Sequence, residues 1–159
     1  MKKTLLFLAL VLASVTMSAQ TKSINLELLG SSGMAGVNYD ARFKGNSGFG
    51  FSVGIGYGYA NSGIDFLNTE GNDGITHQIG IPVEINYLFG KNNSHLVLGV
   101  GASGLANIKE TSSKPQFGIG VFADIGYRYL KPNGFSFGVG LKPQLGRVLY
   151  PYVGLGFSF

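Results

Sequence analysis

The sequence contains no cysteine, which excludes disulfides, thiolate metal sites, a cysteine nucleophile and the lipidated cysteine of a lipoprotein. Stability must come from packing and hydrogen bonds. Charge is scarce as well: Asp, Glu, Lys and Arg make up 13% of the chain, about half the usual share. A disordered tail would instead be charge-rich and poor in aromatics. No basic run exists that could track a phosphate backbone, so nucleic acid is not expected as a partner. Beyond residue 20 no stretch reaches the roughly 18 consecutive apolar residues that mark a transmembrane helix. Proline is limited to five residues, and the glycines follow no Gly-X-Y triplet, so a collagen-like rod is also excluded.

What is abundant is glycine, 26 of 159 residues, and aromatic rings, with 12 Phe and 8 Tyr. Together they point to β-structure in a single domain. The chain opens Met1-Lys2-Lys3, continues with an apolar run from Leu5 to Val15, and reaches small residues at Ser18-Ala19 before Gln20. A basic start, a short apolar stretch and a small residue at the cut predict a secretory signal peptide over 1–19 and a mature domain over 20–159. Lys2 and Lys3 leave with the signal, so 10 of the 12 basic side chains face 8 acidic ones in the mature part.

The mature part alternates with a period of two. From Gly48 to Ala60, Phe49, Phe51, Val53, Ile55, Tyr57 and Tyr59 share one face, and glycines with Ser52 occupy the other. This is a strand pattern, not a helical one. The same alternation runs over Ile75 to Phe89, Leu96 to Ser103, Phe117 to Tyr129, Phe135 to Lys142 and Tyr152 to Phe159. Two shorter strands, Ile24 to Leu28 and Val37 to Phe43, precede them and make eight. Lys44 to Ser47, Gly90 to Ser94 and Lys131 to Gly134 read as compact turns. The connections Asn61 to Gly74 and Asn107 to Pro115 read as longer and polar, whereas Gly30 to Ala35 and the Leu145-Gly146-Arg147 tip are short. Compact turns at one end and longer loops at the other match an outer-membrane barrel.

Volume decides which face points outward. About six bulky residues per strand on eight strands would not fit a lumen only just wide enough for side chains. Turned the other way, the bulky face meets lipid and the polar face lines the interior, with every backbone group paired in a closed sheet. The aromatics gather at two levels. Phe43, Phe49, Tyr87, Phe89, Tyr127, Tyr129, Phe135, Phe157 and Phe159 lie by the compact turns or the last strand's end, and Tyr57, Tyr59 and Phe117 by the opposite end. The expected fold is all-β: an eight-stranded antiparallel up-and-down transmembrane β-barrel.

With its signal peptide, eight alternating strands and closing stretch Tyr152-Val153-Gly154-Leu155-Gly156-Phe157-Ser158-Phe159, the chain resembles the small outer-membrane β-barrel family of Gram-negative bacteria, of the OmpX and OmpA transmembrane-domain type. The resemblance covers essentially the whole mature chain. It implies an outer-membrane location after signal-peptide cleavage, with outer-membrane lipid and lipopolysaccharide as surroundings. It also implies that Tyr152, Gly154, Phe157 and Phe159 form an assembly signal read by the barrel-assembly machinery. Tyr152 departs from the family pattern, which more often has a polar residue there. No single activity is implied, and the surface partner stays open.

Catalytic and cofactor motifs do not hold up. Gly99-Val100-Gly101-Ala102-Ser103-Gly104 fits G-x-G-x-x-G, but the dinucleotide fold needs a helix directly after the glycines, and alternation resumes instead. His77 and His95 fall near opposite ends of the barrel and cannot share a metal. Ser94 adjoins His95 but points to the other face, so no Ser-His pair forms. No enzymatic activity, cofactor or metal is expected.

Glu27, Asp40, Arg42, Glu84, Asp124, Arg128 and Lys142 all fall on the lumen face. They are expected to form a salt-bridged plug in which each base sits between acids, with water held at glycine patches beside it. The expected role is membrane-stabilising or surface-interacting. Two alternatives remain open: a small gated pore or transport protein, and a secreted soluble barrel binding a small apolar ligand.

Overall fold

The computed structural model describes residues 21–31, 33–60, 76–109, 115–145 and 149–159. The expected signal peptide and its cleavage point lie outside the described residues, as do the connection Asn61 to Gly74 and most of the Leu145-Gly146-Arg147 tip. The described chain forms β1 (Lys22–Leu29), β2 (Ala35–Arg42), β3 (Gly48–Ala60), β4 (Thr76–Phe89), β5 (Ser94–Lys109), β6 (Gln116–Leu130), β7 (Gly134–Pro143) and β8 (Leu149–Ser158). Each strand pairs with its sequence neighbour, and β8 returns to β1, giving a closed antiparallel barrel. Lys22 and Phe159 complete the seam by exchanging two backbone hydrogen bonds of 3.0 and 2.8 Å.

Glycine is plentiful because the lumen face must hold large side chains. A Cβ at Gly99 would sit 2.7 Å from Glu84 Oε1, one at Gly101 would sit 2.5 Å from the Phe122 ring, and one at Gly140 would sit 2.7 Å from both the Tyr152 ring and the Ile125 carbonyl. Most of these glycines are therefore seats for neighbouring side chains and not the open, water-holding patches that composition predicted. Gly118 is an exception, with nothing within 4 Å. In the compact turns Asn92 and Asn133 take left-handed φ values of 62° and 52°, where asparagine is tolerated.

The apolar face is turned outward along every strand. Among the described residues, 33 large hydrophobic side chains are exposed and only 7 hydrophobic ones are buried. That is the reverse of a soluble core. Strand ends and pairing depart from expectation mainly at β5 and β6. Asn107 to Lys109 belong to β5 and not to a loop, because they pair with Thr76 to Gln78. β7 pairs with β6 only along Ile125 to Leu130, apart from a bridge between Phe122 and Gln144. Among the described residues the first residues of β6, Gln116 to Gly120, pair with β5 alone, so the β5–β6 hairpin runs past the end of β7.

Candidate functional site

The lumen carries the chemistry. On β2, Asp40 and Arg42 are two residues apart and share the inner face. Arg42 Nη2 lies 2.7 Å from Asp40 Oδ2 and its Nε donates to Oδ1 at 3.1 Å. From β6, Arg128 Nη1 reaches the same Oδ2 at 2.7 Å. Asp40 thus joins two guanidiniums, and the expected order of a base between acids is inverted here. It needs only the short reach of Asp40, because long guanidinium arms converge easily on a fixed carboxylate.

Lys142 follows the expected order. Its Nζ lies 2.8 Å from Glu27 Oε2 and 3.6 Å from Glu84 Oε2, and it sits 4.6 Å above the Tyr152 ring. Asparagines link the two groups. Arg42 Nη2 donates to Asn86 Oδ1, Asn86 Nδ2 donates to Glu84 Oε1 at 2.7 Å, and Asn38 Nδ2 donates to Glu27 Oε2 at 3.0 Å. A continuous chain of partners therefore runs from Arg128 through Asp40, Arg42, Asn86, Glu84 and Lys142 to Glu27 and Asn38. It ties together β6, β2, β4, β7 and β1. Asp124, fully buried, is the acid left over: it has no base within 4 Å among the described residues and receives the Tyr152 hydroxyl at 3.4 Å.

Between these groups lies a cavity of about 20 Å³, lined by Asn25, Asp40, Glu84, Arg128 and Tyr152 among others. That is room for a water molecule or two. Toward the compact turns Leu88, Val97 and Leu130 form a buried apolar cluster, with His95 buried at the same end. Toward the opposite mouth, Ser103 Oγ donates to the Ser31 carbonyl at 3.0 Å, drawing the β1–β2 connection over the lumen.

All seven charged residues singled out from sequence are on the lumen side and six of them form ion pairs. Of the four C-terminal residues, Tyr152 and Gly154 are buried, and Phe157 and Phe159 are exposed on the outer face. Asn38, Asn86, Leu88 and Leu130 were missed. Their signal was present, since each continues an inner-face alternation at a spacing of two from a charged residue or from another of the set. Gly99 and Gly101 lie within β5, and no helix follows them. His77 stands on the outer face of β4, where Nδ1 lies 2.5 Å from the Tyr57 hydroxyl. Among the described residues no group of three or more metal-ligating side chains exists.

No protein-family model matches the sequence, and no curated protein matches it. Among solved structures, the chain is similar to the N-terminal β-barrel domain of Pseudomonas aeruginosa OprF, with 15% identity and a TM-score of 0.56, over 87% of this chain and 97% of that one. It is also similar to the Yersinia pestis outer membrane protein Ail in a phospholipid bilayer nanodisc, with 13% identity and a TM-score of 0.53, over 87% and 99% of the two chains. At such identities the likeness is one of fold. The chain has the fold of the small eight-stranded outer-membrane β-barrels, closed and antiparallel throughout.

Proposed function

We propose that this protein is an integral outer-membrane barrel with a membrane-stabilising or surface-interaction role and no chemistry of its own. The observation that carries the reading is the inversion of polarity, with an apolar band outside and a connected ion-pair network within. Lipid is the solvent that suits the first, and a closed antiparallel sheet pairs the backbone of the strands that would cross it. The similar barrel of Ail was studied in a phospholipid bilayer, which supports the same surroundings here. In this reading the signal peptide is cleaved near Gln20, lipopolysaccharide surrounds the long-connection end, and Tyr152, Gly154, Phe157 and Phe159 are read by the barrel-assembly machinery.

The small cavity and the Leu88, Val97, Leu130 cluster speak for a plugged lumen over a gated pore. A surface-interaction role draws support from the overrunning β5–β6 hairpin. Phe117 and Ile119 there, and Leu145 just past β7 beside it, are 81 to 83% exposed, against at most 65% for any other exposed large hydrophobe among the described residues.

Single cysteines carrying spin labels test the reading. Labels at Val53, Ile81, Val121 and Val139 are expected to meet a lipid-soluble quencher, and labels at Ser52, Ser103 and Ser136 are not. An inverted pattern would make this a soluble barrel. Stable open-channel conductance of the pure protein in planar bilayers would favour the pore. Deleting Phe159 is expected to reduce the heat-modifiable form in outer membranes while leaving export intact.

A further inference from the structure

The compact-turn end carries a ring of positive charge that the lumen network does not use. Lys44 lies in the β2–β3 turn, Lys91 in the β4–β5 turn and Lys131 in the β6–β7 turn, each exposed. Lys22 opens β1 at the same end, where its backbone pairs with Phe159. Among the described residues no exposed acidic side chain lies at this end. Of the 8 acidic residues in the sequence, Glu27, Asp40, Glu84 and Asp124 are buried in the lumen, and Asp65, Glu70, Asp73 and Glu110 fall in the segments joining β3 to β4 and β5 to β6, which begin at the opposite end. Every turn at this end therefore has one lysine, roughly one for each pair of strands.

That spacing selects the ligand. Strands lie about 4.8 Å apart in a sheet, so lysines two strands apart are separated by about 10 Å or more around the rim. A compact multivalent anion could not touch more than one or two of them. Several small anions arranged around the barrel at one depth could touch all four. The same level carries the aromatic belt: Phe43, Phe49, Phe89, Phe135, Phe157 and Phe159 are exposed, and Phe49 and Tyr87 meet edge to face at 4.8 Å. Aromatic rings beside lysine ammoniums mark the depth at which acyl chains give way to headgroups.

We propose that the lysine ring binds the headgroups of anionic glycerophospholipids in the leaflet at the compact-turn end. The proposal rests on the membrane reading above and gives it a lipid class. One barrel would then contact two chemically different leaflets, with its positive rim turned to the phospholipid one.

The chain has no tryptophan, so Phe89→Trp places a single fluorophore two residues from Lys91. The full mature chain carrying it is reconstituted in phosphatidylcholine vesicles containing phosphatidylglycerol, with either lipid brominated in its acyl chains. Brominated phosphatidylglycerol is expected to quench with about threefold preference at low salt, an effect that disappears near 1 M salt, where the Debye length is only about 3 Å. Replacing Lys22, Lys44, Lys91 and Lys131 by Gln should bring the preference to unity. Should that variant fail to insert, Lys91→Gln alone should abolish the preference at this reporter. A parent preference of unity in a barrel that inserts and shows heat-modifiable mobility overturns the proposal and leaves the membrane reading standing; failure to insert overturns both. Lysine-dependent binding of soluble polyglutamate to the inserted parent, without lipid preference, would assign the ring to an acidic protein and overturn it equally.

Discussion

At the compact-turn end the lumen is packed solid: Leu88, Val97 and Leu130 touch one another, and just beyond them Asp40 holds two guanidiniums. At the opposite mouth, Gln78 and Asn107 share one hydrogen bond of 2.9 Å and Gly118 faces open space. Among the described residues, the same eight strands thus build a fixed base and a more loosely filled mouth. The difference lies in which inner positions hold large or charged residues, because the backbone pairing is equally regular over β4 and β5 from end to end. Substitutions should therefore be costly at the base and cheap at the mouth.

The largest contrast is expected from Asp40→Ala. It leaves Arg42 and Arg128 without the carboxylate they share, and breaking a buried ion pair by removing one partner costs about 3–5 kcal/mol. Gln78→Ala at the mouth removes one neutral hydrogen bond, worth about 1 kcal/mol. Urea unfolding in lipid vesicles measures both. Equal losses would mean that the mouth is as tightly built as the base.

Next comes Leu130→Ala, which opens a hole in the apolar cluster and should cost about 2–5 kcal/mol. This position also shows what the sequence could reveal. Alternation fixes the face of Leu130 as soon as Arg128 is placed inside, so an inward leucine follows from counting by two. Its partners do not. Leu88 and Val97 are register partners across β4 and β5, and Leu130 lies on the adjacent β6 at the end of its pairing with β5; the register of these three neighbouring strands brings them together. Asp40 teaches the same lesson. Its inward direction was legible, but its sharing by Arg42 and Arg128 depends on β2 and β6 facing each other across the lumen. The strand count, the faces and the lumen charges were therefore readable from local pattern, whereas the order of acids and bases was not. The β5 extension through Lys109 was hidden for a different reason: Asn107 and Lys109 are polar residues near a mouth and look like loop.

A third pair of variants separates seats from open space. Gly140→Ala would press a methyl group against the Ile125 carbonyl and Gly126 Cα, both at 2.7 Å and both backbone. Neither can swing away, so a loss of about 1–3 kcal/mol is expected, the usual cost of overpacking. Gly118→Ala meets nothing within 4 Å and should leave the unfolding midpoint unchanged. If both variants unfold like the parent, the glycines on the lumen face are not seats.

The smallest effect is expected from Tyr57→Phe. The hydroxyl lies 2.5 Å from His77 Nδ1, and the two rings are 5.9 Å apart, so the variant removes a polar contact and keeps the ring stack. Tyr57 is exposed on the outer face, where water or a headgroup can replace the lost hydroxyl, and His77 keeps other interactions. A neutral hydrogen bond at a wet site contributes at most about 0.5–1 kcal/mol, and no buried group is orphaned by its loss. Urea midpoints in vesicles and heat-modifiable mobility should both match the parent within error. A loss approaching that of Asp40→Ala would show that the long-connection end owes its strength to the outer face, and the contrast between base and mouth would then hold for the lumen alone.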